Sequence, residues 1–212
     1  MKTFKLLMIG DIVGRPGRNI IRQTLPSIKR KYEADYVIAN GENAAGGNGI
    51  TEKIAQELFI SGIDFLTMGN HVWDNKDVFN FIDKENRMVR PANYPGDAPG
   101  KGYQIIQTDK GVEVGILNIS GRTFMNALDC PFKAAEDIVK EIRKKTKIII
   151  VDFHAEATSE KIAMIWLFIK ICSGISTPPN ITLYKAYLCH EDGDVHTDFH
   201  HVISIRKRCI QE

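Results

Sequence analysis

No stretch of this chain approaches the roughly 20 apolar residues needed to cross a bilayer. The apolar start at Met1–Met8 is closed by Asp11 before the core of a secretory leader can develop, so a cytoplasmic, membrane-free protein is expected. Cysteine is sparse and scattered: Cys130, Cys172, Cys189 and Cys209 form no C-x-x-C pair, which excludes a disulfide scaffold. A dominant sign of charge is also lacking. Lys and Arg number 28 against 26 Asp and Glu, and the resulting +2 gives no indication for or against nucleic acid. Gly10, Gly14 and Gly17 do not fit G-x-G-x-x-G, and no Gly-Lys-Ser/Thr follows, so neither a dinucleotide fold nor a P-loop is supported. Internal repeats and low-complexity tracts are absent.

What remains is an ordinary globular composition, 43% hydrophobic and 25% charged, in 212 residues. That length suffices for one well-buried domain with an appendage. Phe4–Ile9 reads as a buried strand closed by Gly10-Asp11, followed by a helix over Arg18–Tyr32 that Pro26 should kink or split. Tyr36–Ala39 is a second strand, and the glycine-rich Ala44–Gly49 is a loop. Thr51 is placed to cap a helix over Glu52–Ser61. Ile63–Leu66 is a third strand before a helix over Lys76–Lys84, and Arg87–Pro99 has the turn chemistry of a surface loop. Tyr103–Gln107 and Val112–Ile119 form a hairpin about Asp109-Lys110-Gly111. Pro131 suits the first turn of a helix running to Lys144; Lys147–Val151 is the clearest buried strand, and Ala157–Phe168 is helical again.

Four of these strands end in polar residues: Asp11, Glu42-Asn43, Asn70-His71 and His154. In an open α/β sheet the carboxyl ends of the strands form the ligand edge, so residues distant in sequence converge there. Each residue alone reads as a loop cap; four in register read as a site. Carboxylate, amide oxygen and imidazole suit Mn²⁺, Fe or Zn²⁺, and a shared carboxylate such as Glu42 can bridge two ions about 3.5–4 Å apart.

Ile9–Gly14, Asn40–Ala45, Met68–Asp74, Arg90–Asn93 and Asp152–Thr158 resemble the motifs of the YmdB-type branch of the calcineurin-like metallophosphoesterases, from the N-terminus to about Trp166. The resemblance implies an α/β (α+β) fold, a double β-sandwich flanked by helices with a dinuclear centre of Fe, Mn or similar ions. It also implies hydrolysis of phosphodiesters, with cyclic nucleotides such as 2′,3′-cyclic monophosphates as the small-molecule substrate. By motif, Asp11 and Asn43 hold one ion, Asn70 and His154 the other, and Glu42 bridges them; His71 stands beside the ions as the acid for the leaving oxygen.

The resemblance stops where a Gly-Thr-His-Thr-His strand end, which would complete both ions, is expected; this sequence contains no such motif. Residues 1–168 are therefore expected to form a C-terminally incomplete metallophosphoesterase domain, and 169–212 a divergent tail, read as the product of a shifted reading frame near codon 165, with genuine divergence as the alternative. That tail shows no clear strand periodicity, and Cys189, His190, His196, His200 and His201 are not placed by any pattern beside His154. Impaired catalysis is expected, the alternative being an inactive remnant that binds a nucleotide or a partner.

Overall fold

The computed structural model describes residues 3–173, 180–184 and 199–206, with side chains over 4–168. Among the described residues the chain is a mixed α/β protein with two sheets, one in each of two compact units. The first unit comprises Met1–Met88 and Asp194–Gln211, the second Val89–Gly193. The chain passes from the first unit to the second at 88/89.

In the first unit, β1 (Thr3–Asp11), β2 (Tyr36–Asn40) and β3 (Phe65–Thr67) run parallel, joined by α1 (Gly14–Tyr32) and α2 (Glu52–Ile60). The two-residue β4 (Met88–Val89) lies beyond β3, and β9 (Phe199–Arg206) pairs antiparallel with β1. The strands are apolar runs because Leu6, Leu7, Val37, Ile38, Ala39, Phe65 and Leu66 are all buried. Thr51 caps α2 as expected, its hydroxyl accepting from Ile54 N at 3.3 Å. Between β3 and β4, turns take up most of the helix expected at Lys76–Lys84, leaving only α3 (Val78–Phe81).

Helix α1 runs unbroken through Pro26, against the expected split. Pro26 and Arg22 are both exposed, so the Arg22 carbonyl deprived of its helical donor faces water. The segment beginning at Arg87 is also more than a surface loop. Residues 88–91 are buried, and the Arg90 guanidinium binds the carbonyls of Pro91, Ala98 and Pro99, tying the proline-rich turn back on itself.

The second unit contains the expected hairpin, β5 (Tyr103–Gln107) with β6 (Glu113–Ser120), and β7 (Ile148–His154) parallel to β6. Helices α4 (Pro131–Arg143) and α5 (Thr158–Ser173) supply Val139, Ile142, Met164 and Phe168 to a core shared with Leu117, Ile119, Val151 and Phe153. The tail was expected to add no strands, but β8 (Asn180–Tyr184) continues this sheet parallel to β7, and β9 borders the first sheet. Both segments carry a short alternation that the sequence reading passed over, Ile181 and Leu183 about Thr182 and Ile203 and Ile205 about Ser204.

Candidate active site

The parallel register of the first sheet fixes which residues share an edge. Asp11 lies opposite Asn40, and Asn40 opposite Thr67, so β1, β2 and β3 finish at one level. The loops that follow are cross-tied by backbone: Ile12 N donates to Asn40 O at 3.1 Å, Gly41 N to Thr67 O at 2.9 Å, and Gly14 N to Asn43 O at 2.9 Å. Asn40 is buried at the centre, its amide donating to Met68 O while its oxygen accepts from Glu42 N.

One pair of side chains meets on this frame, and one carboxylate is seated against backbone. Asn43 Nδ2 donates to Asp11 Oδ2 at 2.6 Å. A carboxylate only accepts, so this bond turns the amide nitrogen toward Asp11 and fixes the opposite face as the oxygen. That Oδ1 is buried and has no hydrogen-bond partner among the described residues. Glu42, fully buried, accepts from the backbone N–H of His71 at 3.1 Å and lies against Gly69. A Cβ on Gly69 would come within 2.5 Å of the Glu42 carboxyl carbon. The φ of Gly69 is not positive, and what the glycine provides is room for the carboxylate.

Gly69 also opens the turn that carries the remaining residues. Val72 N bonds Gly69 O, and Asp74 N bonds His71 O at 3.1 Å, leaving Asn70 and His71 half-exposed at the crest. His71 Nδ1 pairs with Asp74 Oδ2 at 2.6 Å, which orients the ring and leaves Nε2 for a second partner. Trp73 stacks on Phe79 with ring centroids 5.1 Å apart, bracing the same turn.

The structure brings together Asp11, Glu42, Asn43, Asn70 and His71 on the loops at one sheet edge of the first unit. His154 does not share that edge, as the single-sheet expectation required. It ends β7 in the second unit, opposite Ser120, and its carbonyl accepts from Gly121 N at 2.7 Å. Among the described residues, no group of three or more His, Cys, Asp or Glu gathers to hold a metal. The first-unit set draws half its oxygen donors from amides, and the buried Asn43 oxygen suits a divalent cation. His190 and His196 lie outside the described residues, as does Cys189; His200 and His201 are in β9, where only the backbone is described.

The family model for YmdB-like protein matches residues 7–175, which take in Asp11, Glu42, Asn43, Asn70, His71 and His154. The chain belongs to the YmdB-like family. A relative in this family, the 2′,3′-cyclic-nucleotide 2′-phosphodiesterase of Bacillus subtilis (strain 168), is 49% identical over 162 residues, covering 76% of this chain and 61% of that protein. Two solved structures share the fold. A hypothetical protein from Thermus thermophilus superposes with TM-score 0.72 at 39% identity, over 78% of this chain and 63% of that one. A novel phosphatase from Mycoplasma pneumoniae gives TM-score 0.73 at 34% identity, over 80% and 61%. The chain spans about three fifths of the length of the curated relatives it matches.

One further carboxylate was missed by sequence reading. Glu160, nearly buried in the first turn of α5, accepts from Arg122 N at 3.0 Å and from Thr123 N at 3.4 Å. An acidic residue in a first helical turn is expected for the helix dipole alone, so nothing in the pattern marked it.

Proposed function

We propose that this chain is a metal-dependent phosphodiesterase of cyclic nucleotides, 2′,3′-cyclic monophosphates among them. The observation that carries the reading is the Asp11–Asn43 pair beside the buried Glu42, three oxygen-bearing side chains held by strand register at one edge. The family and its B. subtilis relative point the same way. Asp11, Glu42, Asn43 and Asn70 would hold divalent cations at the edge of the first sheet. When bound, the ions would acidify a water and offset charge on the phosphate.

The chain's own residues then do the following. Glu42 keeps its carboxylate in place through the His71 N–H and the space over Gly69. Asn43 holds Asp11 in one rotamer. Water adds to phosphorus and gives up a proton to solvent as one ester P–O bond breaks, and His71 Nε2 delivers a proton to the leaving ribose oxygen and is reprotonated from solvent, its ring steadied through Nδ1 by Asp74. The sequence contains no Gly-Thr-His-Thr-His motif, so the 212-residue chain assayed by itself should turn over more slowly than the B. subtilis protein.

Hydrolysis of adenosine 2′,3′-cyclic phosphate, measured with added Mn²⁺ and after chelation, tests the reading. The expected result is slow turnover that Mn²⁺ raises, chelation removes and Glu42→Ala abolishes. Turnover indifferent to both chelation and Glu42→Ala would overturn it.

A further inference from the structure

Helix α1 carries six cations and no anion, an asymmetry that the overall +2 conceals. Two of the six are neutralised: Arg18 pairs with Glu57 at 3.1 Å and Lys29 with Asp64 at 3.3 Å. Arg15, Arg22 and Arg30 are exposed and meet no carboxylate among the described residues; Arg22 reaches only the Asn19 amide oxygen, at 3.2 Å. Spacings of seven and eight residues are each close to two helical turns, so these three residues stand on one face, along about 22 Å of helix axis. The buried Gly14, Gly17, Ile21 and Leu25 take the other face. Folding does not need such a stripe. An exposed helix is steadied by opposite charges one turn apart, as in α4, where Lys140 pairs with Glu136 at 3.0 Å and Lys144 with Glu141 at 2.7 Å.

The stripe begins at the candidate site, within the same unit. Gly14 opens α1 three positions after Asp11, and its N–H bonds the carbonyl of Asn43 at 2.9 Å. Arg18 Nη1 bonds the carbonyl of the next residue, Ala44, at 2.5 Å, so helix and site loop are fastened twice. Arg15 thus follows Asp11 by four residues, and Arg22 and Arg30 lead away from the edge in further steps of about 10 and 12 Å. A ligand seated at this edge by one phosphate finds its next positive charges in a row along the helix. A mononucleotide has no second phosphate to place there, whereas a strand does.

We propose that the substrate is the 2′,3′-cyclic phosphate at the 3′ end of an RNA strand, whose preceding phosphates lie along Arg15, Arg22 and Arg30. The proposal rests on the phosphodiesterase reading above and names its substrate class. Cleavage of RNA by attack of a 2′-hydroxyl on the adjacent phosphorus leaves such an end, so that class of reaction would supply the substrate. Water adds at the terminal phosphorus and one ring P–O bond breaks, giving a phosphate monoester and a ribose hydroxyl, while the strand stays whole. Phosphate contacts position a strand without reading its bases, so the stripe would accept any sequence.

The test is binding of octauridylate ending in a 2′,3′-cyclic phosphate, and of uridine 2′,3′-cyclic phosphate, to the full chain by calorimetry between about 50 and 200 mM salt. Three phosphate contacts on a single strand should make the fall of log K with log salt steeper for the oligomer by about 2. Arg15→Gln/Arg22→Gln/Arg30→Gln keeps good helix formers in α1; it should abolish that difference and leave the mononucleotide affinity unchanged. Arg15→Lys/Arg22→Lys/Arg30→Lys should retain the steeper slope. No oligomer binding, equal slopes for the two ligands in the parent chain, or a slope untouched by the Gln variant would each overturn the proposal. Polyglutamate bound as tightly as the oligomer would also overturn it, assigning the stripe to an acidic protein. Turnover of the same two ligands separates the proposal from the reading it rests on. Arginine-dependent oligomer binding with hydrolysis of neither ligand would sink the phosphodiesterase and leave a strand-binding stripe; arginine-independent binding with hydrolysis intact would sink the stripe alone.

Discussion

At the scale of single residues, the site depends on what one carbon atom would displace. The Glu42 carboxylate occupies the space a side chain on Gly69 would need. Gly69→Ala must push the buried carboxylate aside or shift the turn, and overpacking of this kind costs about 1–3 kcal/mol. Denaturant unfolding should show a loss in that range, together with loss of any Mn²⁺-dependent turnover; a neutral effect on both would place Glu42 outside the site. Glu85 offers a second residue-level check. Burial works to raise its pKa, but hydrogen bonds and charge from Arg87 outweigh this, with a smaller contribution from Gln56, and leave it below 4.5. A folded-state value below the unfolded one stabilises at pH above the unfolded value and is lost as pH falls through the folded one. Arg87→Ala should therefore destabilise at pH 7 and by less as pH drops below 4.5, in melts taken across that range. The stack of Arg87 on Phe59, 3.7 Å from the ring centroid, leaves a remainder independent of pH. The candidate ligands were legible at this scale because Asp, Glu, Asn and His in sequence directly after apolar runs are chemically conspicuous. Gly121 and Glu160 were not, since their meaning lies in contacts across 34 to 39 positions of chain that no local pattern records.

Among the elements, strands with continuous apolar runs and helices with a cap were legible: β1, β2, β7, the β5–β6 hairpin, and α2 behind Thr51. Their signals are local. The expectations that failed concern elements whose form is set elsewhere. Pro26 does not split α1 because the affected carbonyl is solvated, and β4 is two residues long because it adds only an edge to β3. The loop between β6 and α4 can be tested as an element. Glu160→Ala leaves the Arg122 and Thr123 N–H groups without their acceptor, which should cost about 1–3 kcal/mol. Hydrogen exchange at these two amides should accelerate while the amides of β7 remain protected. Unchanged exchange at Arg122 and Thr123 would mean that the carboxylate does not hold the loop.

For the molecule as a whole, sequence patterning located the strand ends but could not assign them to sheets. Alternation and apolar runs say that a segment is a strand, whereas sheet membership depends on which crossover the chain takes. Hence His154 was expected on the edge that carries Asp11, Glu42 and Asn70, and it lies instead at the end of β7 in the other unit. The YmdB-like family match over residues 7–175 takes in β2 to β7, most of β1 and the motifs at their ends, while β8 and β9 lie beyond it. The claim that joins fold to function is that the first-unit edge holds divalent metal. It is tested most directly by elemental analysis of the purified chain and of Glu42→Ala after equilibration with Mn²⁺ and dialysis. Removing a ligand should weaken affinity by at least the roughly 10–100-fold seen when a metal site loses a supporting hydrogen bond. Mn²⁺ retained by the parent chain and lost from Glu42→Ala is the predicted result; equal metal content in the two proteins would contradict it.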